Sequence, residues 1–467
     1  MRSSKPAVAA ALLSLSGCSL APDYHRPEVA AATTYKEVPS GWTVAAPAAD
    51  AAPAAWWEAF GDPVLTDLES RIEKGSPSLA AAVARYDEAV GQLHAARADL
   101  YPTIGVGGSA ERDRTSAHAP TSRGVSSTFN DYQAAASLSW EIDLFGRIRN
   151  QVKANRSEAQ ASAADLAGVR LGLQTSLATA YFQMRGLDAR EGLLRQTVDA
   201  YQRAYELTDV RHEGGIASGL DTSRARAQLA SAKAELASLP AQRAAFEHAI
   251  AVLVGEPPST FAVAADPRQS APPAFPTGTP STLLQRRPDI DAAERRVYSA
   301  NARIGVARAA FFPALSLGGA GGFETTGPNL LSTASSFWAL GPASLALTVF
   351  DGGKRAAQVR VARAEFNEAA ATYKQTVLIA FKEVEDDLAS GRDLVAQEKN
   401  QRDAVQASET TQDLALTRYR DGASDYLDVV TAQTAALDAE RTLLGLHTQQ
   451  LTTAVDTVRA LGGVARP

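Results

Sequence analysis

The 467-residue chain carries 46 basic against 52 acidic side chains, a net charge of −6, and a single Cys. That balance leaves no basic stripe for nucleic acid, and one Cys excludes both an internal disulfide framework and a Cys-rich metal site. No run of 18 apolar residues follows the N-terminus, so a membrane crossing would have to be made by strands.

Arg2 and Lys5 precede an apolar stretch from Ala7 to Leu15, the pattern of a secretory signal over residues 1–17. It ends at Leu15-Ser16-Gly17-Cys18, small residues before the one Cys, as a bacterial lipoprotein requires. Cys18 is therefore the expected lipidation site, where two or more acyl chains hold a protein stably on a membrane. Ser19 in the next position, in place of the Asp that favours inner-membrane retention, points to the outer membrane.

The remainder is duplicated. Arg97–Pro102 reappears as Arg308–Pro313, and Gly146-Arg147 as Gly353-Lys354. Arg211, Gly215 and Leu220-Asp221 reappear as Arg418, Gly422 and Leu427-Asp428, displaced by 207 residues. Repeats over 77–255 and 281–462 are joined by a Pro-rich stretch, 256–280, that no helix interior would accept. Residues 463–467 form a tail.

Each repeat reads as helix, two strands, a very long helix, a turn and a helix. The first helix runs from about Pro77 to Leu100 and stops before Pro102. Ala134, Ala136, Leu138, Trp140, Ile142 and Leu144 then alternate with Gln133, Ser137, Ser139, Glu141 and Asp143. Such apolar-out, polar-in alternation suits a tilted membrane strand. Its partner lies around Thr103 to Ala110. The second repeat offers Leu315, Leu317, Phe323, Leu345, Leu347 and Val349 as the outward face, and Ser316 and Thr348 as inward polar positions. Polar loops are expected over Asp113–Asn130 and Thr325–Ser336.

Long helices follow, from near Arg147 to Glu213 and from near Lys354 to Arg420, each roughly 100 Å at 1.5 Å per residue. Leu173, Ala180, Leu187, Leu194 and Tyr201 form one heptad seam; Leu177, Met184, Val198 and Tyr205 form another, interrupted by Glu191. Val377, Phe381, Val384, Leu388 and Val395 repeat the spacing, which argues coiled-coil packing. The helices before the strands and after the turn match the long helix in summed length, so each copy has one whole and one split coil partner. Acidic pairs such as Glu383 with Asp387 are read as solvated faces.

Four strands cannot close a barrel in lipid, where an unpaired edge is intolerable. Two chains would supply 8 strands, a lumen that side chains fill; three would supply 12, leaving a pore.

The six His are scattered without paired ligand spacing, and no nucleophile elbow occurs, so no enzyme, metal or cofactor is expected. The chain resembles the TolC-type outer-membrane efflux proteins, in their NodT-type lipoprotein branch. The resemblance rests on Cys18–Tyr24 with Arg26-Pro27, Trp56-Trp57 with Phe60 and Asp62-Pro63, Arg286–Ile290, Phe311–Pro313 and Phe350–Gly353. It implies a mainly α fold with membrane β-structure. In a homotrimer, a 12-stranded barrel would continue into a 12-helix periplasmic tunnel. A belt around the tunnel would draw on 18–76, 256–280 and the C-terminus. It further implies a passive exit duct for drugs or other small molecules. Its partners would be a periplasmic adaptor and an inner-membrane pump of the RND type. A type I secretion duct, or a lipid-anchored coiled-coil scaffold without a channel, is the alternative.

By the same resemblance Gly215, Ile216, Gly422 and Ala423 mark adaptor-docking hairpin tips, and Asp428, Asp221 and Tyr419 a periplasmic gate. As bare chemistry the glycines are helix C-caps and the acids first-turn carboxylates. Ser424 replaces an Arg common in the family, and Thr431 a second gate Asp, implying a weaker clamp and a less negative gate.

Overall fold

The computed structural model describes residues 19–30, 34–37, 55–120, 124–273 and 286–463; Cys18 lies outside these. A 3-10 turn, Trp56–Phe60, leads into α1 (Pro63–Gly75) and α2 (Pro77–Ala98). Then come β1 (Thr103–Thr115), β2 (Ser127–Ile142), α3 (Arg147–Glu213) and α4 (Gly219–Val254). The second repeat gives α5 (Pro288–Ala309), β3 (Ala314–Thr325), β4 (Ser336–Ala346), α6 (Lys354–Arg420) and α7 (Tyr426–Ala460). Both long helices have 67 residues. The turn at Trp56 and α1 were not expected; Asp62, accepting from the Val64 and Leu65 amides, caps α1. Among the described residues no helix is long and apolar enough to cross a membrane.

The chain divides into two compact units, each drawn from both repeats. One comprises Met1–Glu28, Arg85–Ala163 and Ala292–Lys374; the other comprises Val29–Ala84, Ala164–Asp291 and Gln375–Pro467.

The first unit holds one antiparallel sheet in the order β1-β2-β3-β4. Residues paired across strands share a face. Ile104 opposite Leu138, Trp140 opposite Leu317, and Ile142 opposite Leu315 opposite Leu345 build one apolar side. Ser137 opposite Gly105, and Ser316 bonded to Ser344 at 2.7 Å, lie on the other. Between Leu317 and Gly319 the register shifts by one residue of β4. The shift reverses the alternation along β4 and places Leu340 and Trp338 on the apolar side with Leu345. Sequence alternation had taken Leu347, Thr348 and Val349 into this strand; it ends at Ala346. The first hairpin loop is shorter than expected, 116–126, because both strands run further.

Also in this unit, Leu93 and Ala96 of α2 pack on Val152 and Ala159 of α3. Residues 19–28 lie along the helices: Ser19 Oγ donates to Asn150 (2.9 Å), Asn301 to the Pro22 carbonyl (2.9 Å) and Arg308 to that of Leu20 (3.2 Å).

In the second unit Tyr201 of α3 packs on Leu229 and Ala232 of α4. The coil partner is split as expected: the start of α2 abuts the end of α4. A Cβ on Gly255 (φ +79°) would lie 1.9 Å from the Gly75 carbonyl oxygen and 3.2 Å from Pro77, so only Gly permits the junction. The heptad seam is buried at Leu177, Met184, Leu194, Val377, Val384 and Leu388, but Val395 is exposed and Leu394 takes the inward place. Nor is the Glu383–Asp387 pair a solvated face. Glu383 accepts from Arg287 Nη1 at 2.5 Å. Burial, with Asp456 nearby, pushes the half-buried Asp387 carboxyl up to about 7.

Candidate functional site

The two hairpin tips, α3–α4 and α6–α7, have the same cap. Gly215 (φ +73°) and Gly422 (φ +76°) adopt the left-handed conformation. The Ile216 amide bonds the Arg211 carbonyl and the Gly215 amide that of His212; the Ala423 amide bonds Arg418 and the Gly422 amide bonds Tyr419. This doubled Schellman pattern satisfies carbonyls that a helix end leaves free. It presents Ile216, 72% exposed, at the first tip and an exposed Ala423 at the second.

The next helices start with acidic caps. Ser218 Oγ accepts from the Asp221 amide (3.2 Å) while Asp221 Oδ2 accepts from Ser218 Oγ (2.8 Å) and from its amide (3.3 Å), a closed capping box. Asp425 accepts from the Asp428 amide at 3.2 Å, which leaves the Asp428 carboxylate exposed in the first turn of α7. There the helix dipole favours it. Thr431 turns back on its own helix, donating to the Leu427 carbonyl (2.8 Å).

Tyr419 is the residue that joins the tips. It is buried, meets Tyr426 edge-on at 5.2 Å between centroids, and its hydroxyl lies 3.4 Å from Thr208 Oγ1. Arg211 stands 4.7 Å above its ring and donates Nη1 to the carbonyls of Tyr419 (2.8 Å) and Arg420 (3.1 Å). Cation over ring and charge-assisted bonds to carbonyls reinforce each other. Ala225, Tyr426 and Val429 complete this core, with Tyr205 and Leu416 against it. Burial, with Tyr419 and Tyr201 close by, pushes the Tyr426 hydroxyl up to about 12, so it stays protonated near neutral pH.

The structure thus brings Tyr419 and Arg211 together, while Asp221 turns to its own cap and to Arg224 at 3.8 Å. Sequence reasoning missed Arg211, Thr208 and Tyr426. Only the recurrence of Arg211 as Arg418 hinted at the first. Among the described residues no group of three or more His, Cys, Asp or Glu is placed to hold a metal ion.

The outer membrane efflux protein family matches residues 68–256 and 279–463. The toluene efflux pump outer membrane protein TtgC of Pseudomonas putida is 33% identical over 452 residues, 96% of this chain and 93% of that protein. OprJ, an outer membrane protein of Pseudomonas aeruginosa, is 32% identical over 455 residues, 97% of this chain and 94% of its own. The solved structure of the outer-membrane channel OprN superposes with a TM-score of 0.89 at 31% identity, covering 96% of this chain and all (100%) of that one. With its four-stranded sheet and paired helical hairpins, this chain belongs to the outer membrane efflux protein family, the non-enzymatic channels through which Gram-negative efflux pumps discharge.

Proposed function

We propose that three copies of this chain pool their sheets into one 12-stranded barrel, continuous with a 12-helix periplasmic tunnel, anchored additionally by lipid on Cys18. The observation that carries the trimer is the sheet itself. It presents two unpaired edges, β1 and β4, and an apolar side on which Val106 (86%), Trp338 (83%) and Leu340 (80%) are exposed. In lipid each unpaired backbone group costs several kcal/mol, so the edges have to meet another copy. Three copies are the smallest closed set that leaves a wet lumen.

The cargo is a drug, solvent or other small molecule, handed over by a periplasmic adaptor and an inner-membrane pump of the RND type. The adaptor docks on the tips at Gly215, Ile216, Gly422 and Ala423, whose caps offer small, projecting surfaces. Asp428 gates the entrance: three exposed carboxylates on one ring repel one another and attract cations, while Tyr419 holds each protomer's tips in place and Asp221 stiffens the start of its own helix, α4.

Detergent-extracted protein should have three times the chain mass and form channels in planar bilayers; a monomeric, electrically silent preparation would overturn the reading. Asp428→Ala should change cation selectivity and raise leak conductance. A Cys18→Ser protein should still insert its barrel, which separates the duct from a scaffold held by lipid alone.

A further inference from the structure

The far end of β1 sorts its charges by face. Glu111-Arg112-Asp113-Arg114 alternates in sign along a strand whose side chains alternate in direction. The register with β2 runs unbroken from Thr103 opposite Ser139 to Thr115 opposite Ser127. Arg112 and Arg114 therefore continue the side of Ile104 and Val106, the apolar one. Glu111 and Asp113 continue the polar side of Gly105 and Ser137, where Asp131 of β2 and Glu324 of β3 join them. Glu111 lies directly opposite Asp131, a like-charge pair that costs stability in an antiparallel sheet. An Arg in either place would have made an ion pair. Both cations stand instead on the apolar side, exposed and, among the described residues, without a carboxylate partner.

What meets them there follows from height. Arg114 lies ten residues beyond Ile104, which at about 3.3 Å per residue and a strand tilt of about 40° is a rise of about 25 Å. The apolar band of an outer-membrane barrel is about as tall. The helices join the sheet at the Thr103 and Ile142 end. With those helices in the periplasm, the two Arg stand on the lipid side at the level of the outer leaflet's headgroups. A lipid-facing guanidinium is costly at mid-membrane and costs little at the interface, and its fork matches phosphate oxygens bidentately. Opposite Arg112 and Arg114 are Asn130 and Thr128, neutral donors that bring no competing anion. In β3 the positions equally distant from the preceding Pro hold Phe323 and Thr325. The cations are thus one patch on each chain, not a continuous belt.

We propose that Arg112 and Arg114 bind the phosphate groups of a phosphorylated glycolipid of the outer leaflet. Its sugar phosphates lie against the guanidinium pair and its acyl chains run down past the exposed Val106 and Ile104. The inference rests on the barrel reading above and adds a specific lipid to it.

Native mass spectrometry of the full-length channel in detergent tests it, with lipid A bisphosphate, its dephosphorylated form and phosphatidylglycerol as probes. The parent trimer should carry up to one bisphosphate molecule per chain and bind the other two lipids at least tenfold more weakly. R112Q/R114Q should lose that preference with trimer mass and single-channel conductance unchanged, because neither side chain faces the lumen. E111Q/D113N, on the opposite side, should keep the preference and lower cation selectivity. A conducting trimer whose R112Q/R114Q variant holds the bisphosphate as well as the parent overturns the lipid site and leaves the barrel standing. So does a parent that takes either other lipid equally well, or loss of the preference in E111Q/D113N. Protein that stays monomeric and silent overturns both.

Discussion

Halfway along their length, α3 and α6 have the same number of residues and the same heptad spacing, yet opposite surroundings. In α3, Arg185 and Asp188 are buried, joined at 3.0 Å, and Arg243 of α4 reaches Asp188 at 2.6 Å. The corresponding residues of α6, Arg392 and Val395, face solvent; Arg392 pairs there with Asp393 (2.8 Å) and Glu37 (2.6 Å). The difference lies in what covers each helix. Residues 263–266 lie on α3 as an extended segment with no ladder of their own, and their backbone groups must be satisfied. Arg185 donates to the Ala264 carbonyl (2.7 Å) and Arg243 to that of Val263 (2.6 Å). Glu247 accepts from the Val263 amide (2.7 Å) and Asp188 from that of Asp266 (3.1 Å). On α6 the cover among the described residues is the stretch at Lys36 and Glu37, whose amides bond Glu385. A buried strap recruits charged side chains into the core; an exposed one leaves them in water.

The sharpest way to break this comparison is to remove one charge from the buried network. Asp188→Ala would leave the buried Arg185 without its carboxylate and Arg243 with Glu247 alone (3.1 Å), at a cost of about 3–5 kcal/mol. The melting temperature of the detergent-solubilised channel should fall by several degrees and the strap become susceptible to protease. Arg392→Ala, which removes the exposed counterpart of Arg185 in the second copy, should leave melting unchanged. Equal effects of the two substitutions would show that the cover makes no difference.

A smaller effect is expected where the first helices of the repeats diverge. His94 of α2 is exposed, whereas its counterpart in α5, Gly305, lies under the N-terminal segment. A Cβ on Gly305 would stand 2.8 Å from the Ala21 amide nitrogen and 2.6 Å from Asn150 Nδ2. Gly305→Val should cost about 1–3 kcal/mol and lift residues 19–28, which faster chymotryptic cleavage after Tyr24 would report. His94→Val should do neither.

These contrasts mark what a sequence can disclose. The ends of both long helices were legible to the residue, because the duplication supplies each boundary twice and Gly closes each. The split coil followed from lengths alone. Val395 was misplaced because heptad spacing tells which face is apolar in a typical copy, not which face a strap will cover. Half of β4 was lost because one bulge reverses an alternation that period-two reading assumes unbroken. Arg211 was invisible as a clamp: at the third position from a helix end, a cation is ordinarily a dipole partner, and its actual acceptors lie about 208 residues on, at Tyr419 and Arg420.

Asp387 sharpens the comparison by the least amount, through pH. Its counterpart in α3 is the buried Ala180; α6 places a carboxyl where the first copy has a methyl. Burial, with Asp456 nearby and Arg459 only partly offsetting, raises this carboxyl to about 7, against about 4 for an unfolded Asp. The folded chain thus holds the proton more tightly than the unfolded one. The contribution of this group to stability is complete below about pH 4 and is lost as the pH rises to about 7, where the buried carboxylate has ionised. The group retains some access to water, so the loss is no more than ~2 kcal/mol. Asp387→Ala should therefore melt like the parent at pH 4 and higher than the parent at pH 8. A parent that gains stability between those two values, relative to the variant, would mean that the Asp387 carboxylate is held by a cation in the assembled channel and that the two helices are more alike than one chain suggests.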